Sequence, residues 1–280
     1  MAFAERALKF TFSGDKTGTL EVAGLRAVAN IDAVDGRLGV SAQVKIWGLS
    51  MGQMNAYSSR LASGVGVNQF GLTIEAGYVG EAMSTVIKGA IWRSYVDLQG
   101  TPESAFDVSV VETILTGAQT IAGQSQPGAQ NAEDLIGSIC KAAALTLHNQ
   151  GAHAVLRNPS TNGSIVDQIE YIADAAGFTV YFEGSNVWIY PKGGNRDDVV
   201  IDVGPDTGMV GYPAYWESGL IVRSLFDQRI QVGRQMRVTS SIPKANGTWQ
   251  IIRVQHELAT MMRDGPWFTT AVLTTSDNNA

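Results

Sequence analysis

The fold is decided by the stretch SIVDQIEYIADAAGFTVYFEGSNVWIY (Ser164–Tyr190), where a helical pattern passes directly into a strand pattern. Ser164 is a helix-capping residue with Asp167 three positions on, and Gly177 is a typical helix stop. Between them, the apolar residues at helical spacing are Ile165, Ile169, Ile172 and Ala176. The stretch therefore predicts an amphipathic helix followed at once by β-structure.

Two strand-like runs, Phe178–Phe182 and Val187–Tyr190, follow this helix and flank a turn-forming Glu-Gly-Ser-Asn, which predicts a hairpin. Upstream, Asn131 is a candidate N-cap for another amphipathic helix that we expect to run until Gly151. The apolar face of that helix comprises Leu135, Ile136, Ile139, Cys140, Ala143 and Leu147. Helix, helix and hairpin predict one compact α+β module over residues 131–192.

On both sides of this module the apolar residues alternate with polar ones, which is typical of half-buried antiparallel strands. The exception is a helix-compatible segment from Gln53 to Leu61, which we interpret as a short helix between strands. The predicted fold class is mainly β with an inserted α+β module, flanked by two similar small β-barrel domains. The predicted boundaries are a first barrel at 1–118, a Gly/Gln/Ser-rich linker at 119–130, the module at 131–192 and a second barrel at 193–280.

A weak internal repeat supports the similarity of the two β-domains. Leu72–Ile91 resembles Met236–Val254 in its pattern of a strand, a glycine-containing connection and a second strand, and the two segments are almost equal in length. Either any two hairpins look alike, or both domains are copies of one barrel; the sequence leaves both open.

Composition excludes several classes of protein. The 280 residues are 45% hydrophobic, enough for a large core, and the net charge of −6 disfavours a protein that grips nucleic acid. A single cysteine excludes a disulfide scaffold or a CxxC site. Charged residues near the start interrupt any signal-peptide pattern, and no stretch has the apolar length of a membrane-spanning helix.

No motif for a cofactor, a metal or a catalytic group emerges, so we predict no cofactor, no metal site and no catalytic residue. His148 and His153 lack the spacing of paired ligands, and His256 and Glu257 are strand neighbours that face opposite ways. Cys140 lies on an apolar helix face, where a cysteine is usually a buried hydrophobe. Phosphate-loop signatures are absent.

Two clusters remain as candidates for a function. Four aspartates, Asp197, Asp198, Asp202 and Asp206, flank a probable strand and are interpreted as a solvated edge rather than an ion site. The stretch YPAYWESG (Tyr212–Gly219) is dense in aromatics without clear alternation. Its candidate interface residues are Tyr212, Tyr215 and Trp216.

The order of β-domain, helical module and β-domain resembles the baseplate hub proteins of tailed bacteriophages over nearly the whole chain. The resemblance is carried by strand and turn patterns that occur in the right order: VKIWGLS (Val44–Ser50), the hairpin within Ile74–Ile91, GLIVRSLFDQRIQVGRQMRV (Gly219–Val238) and W..I.RV.HE (Trp249–Glu257).

The resemblance implies a structural virion protein of the tail baseplate, assembled in the host cytoplasm. It implies a homotrimer whose two barrels per chain form a pseudo-hexameric ring between the hexameric tail tube and the trimeric spike. Its partners would be itself, the tube protein, the spike or tip protein and other baseplate proteins. There would be no membrane partner, and DNA would only pass through the lumen.

Two alternatives remain open from the sequence. One is a tail enzyme that degrades cell wall or glycan, with Asp198, Asp202 or Glu257 as catalytic carboxylates. The other is a receptor-binding module of the same particle.

Overall fold

A computed structural model describes residues 5–14, 17–34, 39–58, 70–100, 102–112, 120–123, 125–217 and 219–275. The helices among them are α1 (Met51–Ala56), α2 (Ala132–Ala142) and α3 (Ile165–Ala176). The strands are β1 (Arg6–Gly14), β2 (Gly18–Ala23), β3 (Ala27–Val34), β4 (Val40–Trp47), β5 (Phe70–Tyr78), β6 (Ser84–Asp97), β7 (Ala105–Val111), β8 (Ala129–Asn131), β9 (Thr146–Asn149), β10 (Val155–Arg157), β11 (Phe178–Glu183), β12 (Asn186–Pro191), β13 (Val200–Val203), β14 (Ala214–Trp216), β15 (Gly219–Leu225), β16 (Gln235–Val238), β17 (Gly247–Thr260) and β18 (Trp267–Thr274). The predicted mainly-β class with an inserted helical module is confirmed.

The chain divides into two compact units. The first comprises Met1–Asp32, Val40–Ile114 and Gln255–Phe268, and its sheet follows the order β17-β3-β4-β7-β6-β5-β1-β2. Alternation along β4 shows why these residues form a sheet: Val40, Ala42, Val44 and Ile46 are at most 5% exposed, and the residues between them face outward.

The second unit comprises Ala33–Gly39, Leu115–Val254 and Thr269–Ala280. Its main sheet has the order β14-β15-β18-β17, with β16 antiparallel to β17 and β13 parallel to β16. The α+β module also belongs to this unit. It packs α2 and α3 on one face of the β11-β12-β9 sheet, around a core that includes Ile136, Ile139, Ile169 and Val187.

The predicted helix from Ser164 to Gly177 is confirmed. The Ser164 hydroxyl accepts a hydrogen bond from the Asp167 amide, and the Asp167 carboxylate accepts one from the Ser164 amide. Gly177 adopts φ +71°, a left-handed conformation that suits glycine and ends the helix. The hairpin that follows, β11 and β12, is antiparallel as expected.

The predicted end of the other module helix was wrong. α2 stops at Ala142, and Ala144 turns left-handed with φ +56°. Thr146–Asn149 then forms β9, which pairs in parallel with β12. A pairing partner far along the chain decides this boundary, so the helical spacing of Leu147 was misleading.

The two predicted barrels are not found as closed sheets. Among the described residues the strand order is an open path that ends at β2 on one side and at β14 on the other. Period-two alternation specifies strands, whereas closure depends on strand tilt and register, which alternation does not encode. The domain boundaries and the similarity of the two β-domains stay predictions. Residues 113–118 at the end of the predicted first barrel and residues 119 and 124 of the predicted linker lie outside the described residues.

Candidate functional site

The aromatic edge, defined as Tyr212, Tyr215 and Trp216, lies at the margin of the second unit's sheet. The three side chains are 73%, 60% and 40% exposed. Tyr215 and Trp216 belong to β14, so this part of the stretch is a short edge strand. Whether it is an interface stays a prediction.

A buried neighbour holds the aromatic edge in place. Among the strands that the structure describes, β14 pairs only with β15, with Tyr215 opposite Leu220 and Trp216 opposite Gly219. Leu220 is fully buried, and a Cβ atom on Gly219 would overlap the Leu273 carbonyl of β18. β15 therefore approaches β18 closely on one side and pairs with β14 on the other.

The turn between β14 and β15 carries an exposed carboxylate. Glu217 has a positive φ of +29° and is solvent-exposed. Within the described part of the chain its carboxylate has no hydrogen bond or ion pair.

A second exposed aromatic site, which the sequence analysis missed, lies on β6 in the first unit. Ile91 pairs with Val110 and Arg93 with Ser109, so Trp92 is an extra residue that forms a β-bulge. Trp92 is 51% exposed and Tyr95 is 41% exposed. Trp92 is therefore not part of the core of this chain.

Arg93 completes this site, which we call the bulge cluster (Trp92, Arg93 and Tyr95). Its guanidinium carbon lies 5.7 Å from the Trp92 ring centroid and 5.4 Å from that of Tyr95. Its Nε atom is buried without a hydrogen-bond partner among the described residues. Only the bulge aims Trp92 outward, and a bulge depends on strand pairing, so the sequence offered no clear signal.

Ion pairs neutralise the charges next to the bulge cluster. Lys45 Nζ lies 2.6 Å from the Asp97 carboxylate, and this contact lowers the pKa of Asp97 and raises the pKa of Lys45. Elsewhere in the first unit, Lys9 lies between Glu21 and Glu75 at 3.4 and 3.5 Å. Arg93 makes no such pair within the described residues.

The four aspartates do not converge on one point. Asp197 binds Arg234 at 2.8 Å and Asp202 binds Arg237 at 3.1 Å, while Asp206 follows in a separate 3₁₀ turn. Among the described residues no group of three or more His, Cys, Asp or Glu side chains is arranged to hold a metal ion.

The histidines and the cysteine occupy structural positions. His148 lies on β9 and stacks on Trp188 at 4.1 Å, while His153 contacts Glu133 at 3.0 Å and lowers the pKa of that carboxyl. Cys140 is 1% exposed, and burial raises the pKa of its thiol to about 12. At neutral pH this thiol is protonated and unreactive.

A buried arginine fastens the α+β module to the strands that follow it in the same unit. Arg196 is 3% exposed, pairs with Glu183 at 2.8 Å and lies 4.4 Å from the Trp188 ring centroid. Its backbone N–H donates to the Gly233 carbonyl. The face of the β11-β12-β9 sheet opposite the helices is thereby occupied by a packed polar stack.

In the part of the chain that the structure describes, none of the helices has the length and apolar character needed to cross a bilayer.

Comparisons with known proteins place these surfaces in context. The model of the family described as "Baseplate hub gp41" matches residues 8–273. No curated protein sequence gives a match.

Solved structures of similar fold cover nearly the whole chain. The 43 kDa tail protein of prophage MuSo2 from Shewanella oneidensis is 8% identical with a TM-score of 0.65, covering 96% of this chain and 97% of that one. The tail protein from Neisseria meningitidis MC58 is 9% identical with a TM-score of 0.66 and covers 96% of each chain. The E. coli c3393 protein is described as a type VI secretion component similar to T4 tail proteins gp27 and gp5. It is 11% identical with a TM-score of 0.62, covering 95% of this chain and 76% of its own.

Proposed function

The chain belongs to the baseplate hub gp41 family, and from this premise we propose that it forms a homotrimer that joins a hexameric tail tube to a trimeric spike. In this trimer the β-regions of three chains form a pseudo-hexameric ring around the channel through which DNA passes. The observation that carries the proposal is the match over residues 8–273, which covers both β-regions and the module between them.

We place the protein in the tail baseplate of the virion, after assembly in the host cytoplasm. Its partners are further copies of itself, the tail tube protein, the spike or tip protein and other baseplate proteins. The exposed aromatic edge and the bulge cluster support this role, because tryptophan, tyrosine and arginine are the residue types that dominate binding energy at protein interfaces.

The trimer is tested by its mass. Native mass spectrometry of the purified chain is expected to give three times the 29.9 kDa of one chain. Electron microscopy of the chain with the tube and spike proteins of the same phage should show it between them. A monomer that binds neither protein would contradict the proposal.

We also propose that the protein is not an enzyme. Of the carboxylates considered for catalysis, Asp202 is 61% exposed in its ion pair with Arg237, whereas catalytic carboxylates are commonly tuned by burial. Zymography on peptidoglycan is expected to show no clearing. Clearing that disappears in an Asp198→Asn, Asp202→Asn or Glu257→Gln variant would favour the enzyme instead.

A further inference from the structure

We propose that Arg93, in the bulge cluster of one copy of the chain, binds Glu217, on the β14–β15 turn of a second copy. This inference rests on the proposed self-association and identifies the surfaces that perform it. Both surfaces are exposed, and each carries a charge that finds no ion-pair partner within the described residues.

The first step of the argument is the state of Arg93. Its Nε–H is buried without a partner among the described residues, and its guanidinium carbon lies near both ring centroids, at 5.7 and 5.4 Å. The buried Nε–H is out of reach of a second chain, so the terminal N–H groups of the guanidinium would bind the carboxylate, with two parallel hydrogen bonds. The neighbouring aromatic rings would help to shield that pair from water.

The second step is the shape of the complementary surface. Glu217 is exposed on a tight turn and follows Tyr215 and Trp216 directly. β14 pairs with the largely buried β15, and the exposed aromatic residues Tyr215 and Trp216 precede the carboxylate in the chain. A carboxylate with adjacent aromatics matches an arginine with adjacent aromatics in both charge and polarity.

The third step is the symmetry of the contact. Pairing of two bulge clusters would bring Arg93 against Arg93, and pairing of two β14 turns would bring Glu217 against Glu217. Like charges repel, so a contact between identical surfaces is disfavoured. A contact between different surfaces is head-to-tail, and head-to-tail contacts close into rings when the rotation permits. The proposed trimer would contain three such contacts.

The test is a charge exchange, measured by analytical ultracentrifugation of the full chain. Arg93→Glu and Glu217→Arg are each expected to weaken self-association by about tenfold or more. The double variant restores the attraction with the signs reversed and should return to within roughly threefold of the original chain.

Matched controls reverse a charge elsewhere on the same units. One control is Lys88→Glu, because Lys88 lies on β6 away from the bulge cluster. The other is Asp206→Arg, because Asp206 lies on an exposed 3₁₀ turn of the second unit. Both should leave self-association unchanged. Circular dichroism checks the fold, and Arg93→Gln replaces Arg93→Glu if that variant does not fold.

The outcomes separate this inference from the proposed function. If the original chain is trimeric and the exchange variants are trimeric with equal affinity, the inference is overturned and the trimer stands. If the single variants dissociate and the double variant is not restored, the direct pair is overturned. If the original chain remains monomeric at every concentration, both are overturned.

Discussion

Gly219 illustrates how the absence of a side chain fixes a position in the sheet. In β15 a Cβ atom at this residue would overlap the Leu273 carbonyl of β18. We expect Gly219→Ala to lower the free energy of unfolding by about 1–3 kcal/mol, because one strand must move away from the other. Urea unfolding measures the loss.

Gly52→Ala is the control for this substitution. Gly52 lies in α1 with nothing closer to a new Cβ than the Ser50 hydroxyl at 4.0 Å. It should change stability by less than about 0.5 kcal/mol. Equal losses for both glycines would show that close approach to Leu273 is not the cause.

Arg196 provides a second test at the level of one side chain. Arg196→Met removes the partner of Glu183, which is 31% exposed, and ends the stacking on Trp188. We expect the free energy of unfolding to fall by about 2–4 kcal/mol. This is at the lower side of the range for buried pairs, because Glu183 is partly exposed to water.

The exposed pair of Arg237 and Asp202 is the matched comparison. Their side chains are 56% and 61% exposed, so Arg237→Met should cost only about 0–1 kcal/mol in the same urea titration. A similar loss in both variants would contradict the structural role of Arg196.

At the scale of the element, the two module helices differ in how they begin. Ser164 caps α3 through its hydroxyl, whereas Asn131 at the start of α2 makes no side-chain bond to the helix backbone. Ser164→Ala should destabilise α3 by about 1 kcal/mol, and Asn131→Ala should have less than about half that effect on α2.

Hydrogen exchange followed by mass spectrometry resolves this difference, because peptides from the two helices report on each separately. Faster exchange is expected in 165–176 for Ser164→Ala. The prediction fails if Asn131→Ala opens α2 to the same extent.

The same contrast explains which elements could be predicted from the sequence. α3 has its start and stop signals within its own residues, so its bounds follow from local chemistry. The end of α2 depends on β9 pairing with β12, and the outward turn of Trp92 depends on β6 pairing with β7. These features arise from contacts between distant segments, and hydrophobic spacing does not carry them.

At the scale of the whole molecule, the positions of strands could be predicted from the sequence but their order and pairing could not. Alternation located the strands of both β-regions but not the fact that β17 contributes residues to both compact units. Of the candidate site, the exposed aromatic residues Tyr212, Tyr215 and Trp216 were identified by their density in the sequence. Arg93 was not identified from the sequence, because the burial of its Nε atom and its contacts depend on the folded structure.

The distribution of charge over the chain gives the last prediction, which concerns DNA. The net charge is −6, with 20 basic residues against 26 acidic ones, and Lys9 and Lys45 of the first sheet are held by carboxylates. A protein whose cations are paired releases few counterions from DNA, so binding stays weak. We expect affinity for a labelled duplex to be weaker than about 10⁻⁴ M near physiological salt, measured by fluorescence anisotropy.

The matched variant replaces the carboxylates around Lys9. Glu21→Lys with Glu75→Lys would convert one ion-pair network into three adjacent cations. This variant should bind the duplex more tightly, with an affinity that falls between about 50 and 200 mM salt. Micromolar binding by the original chain with that same salt dependence would contradict a channel through which DNA passes without being held.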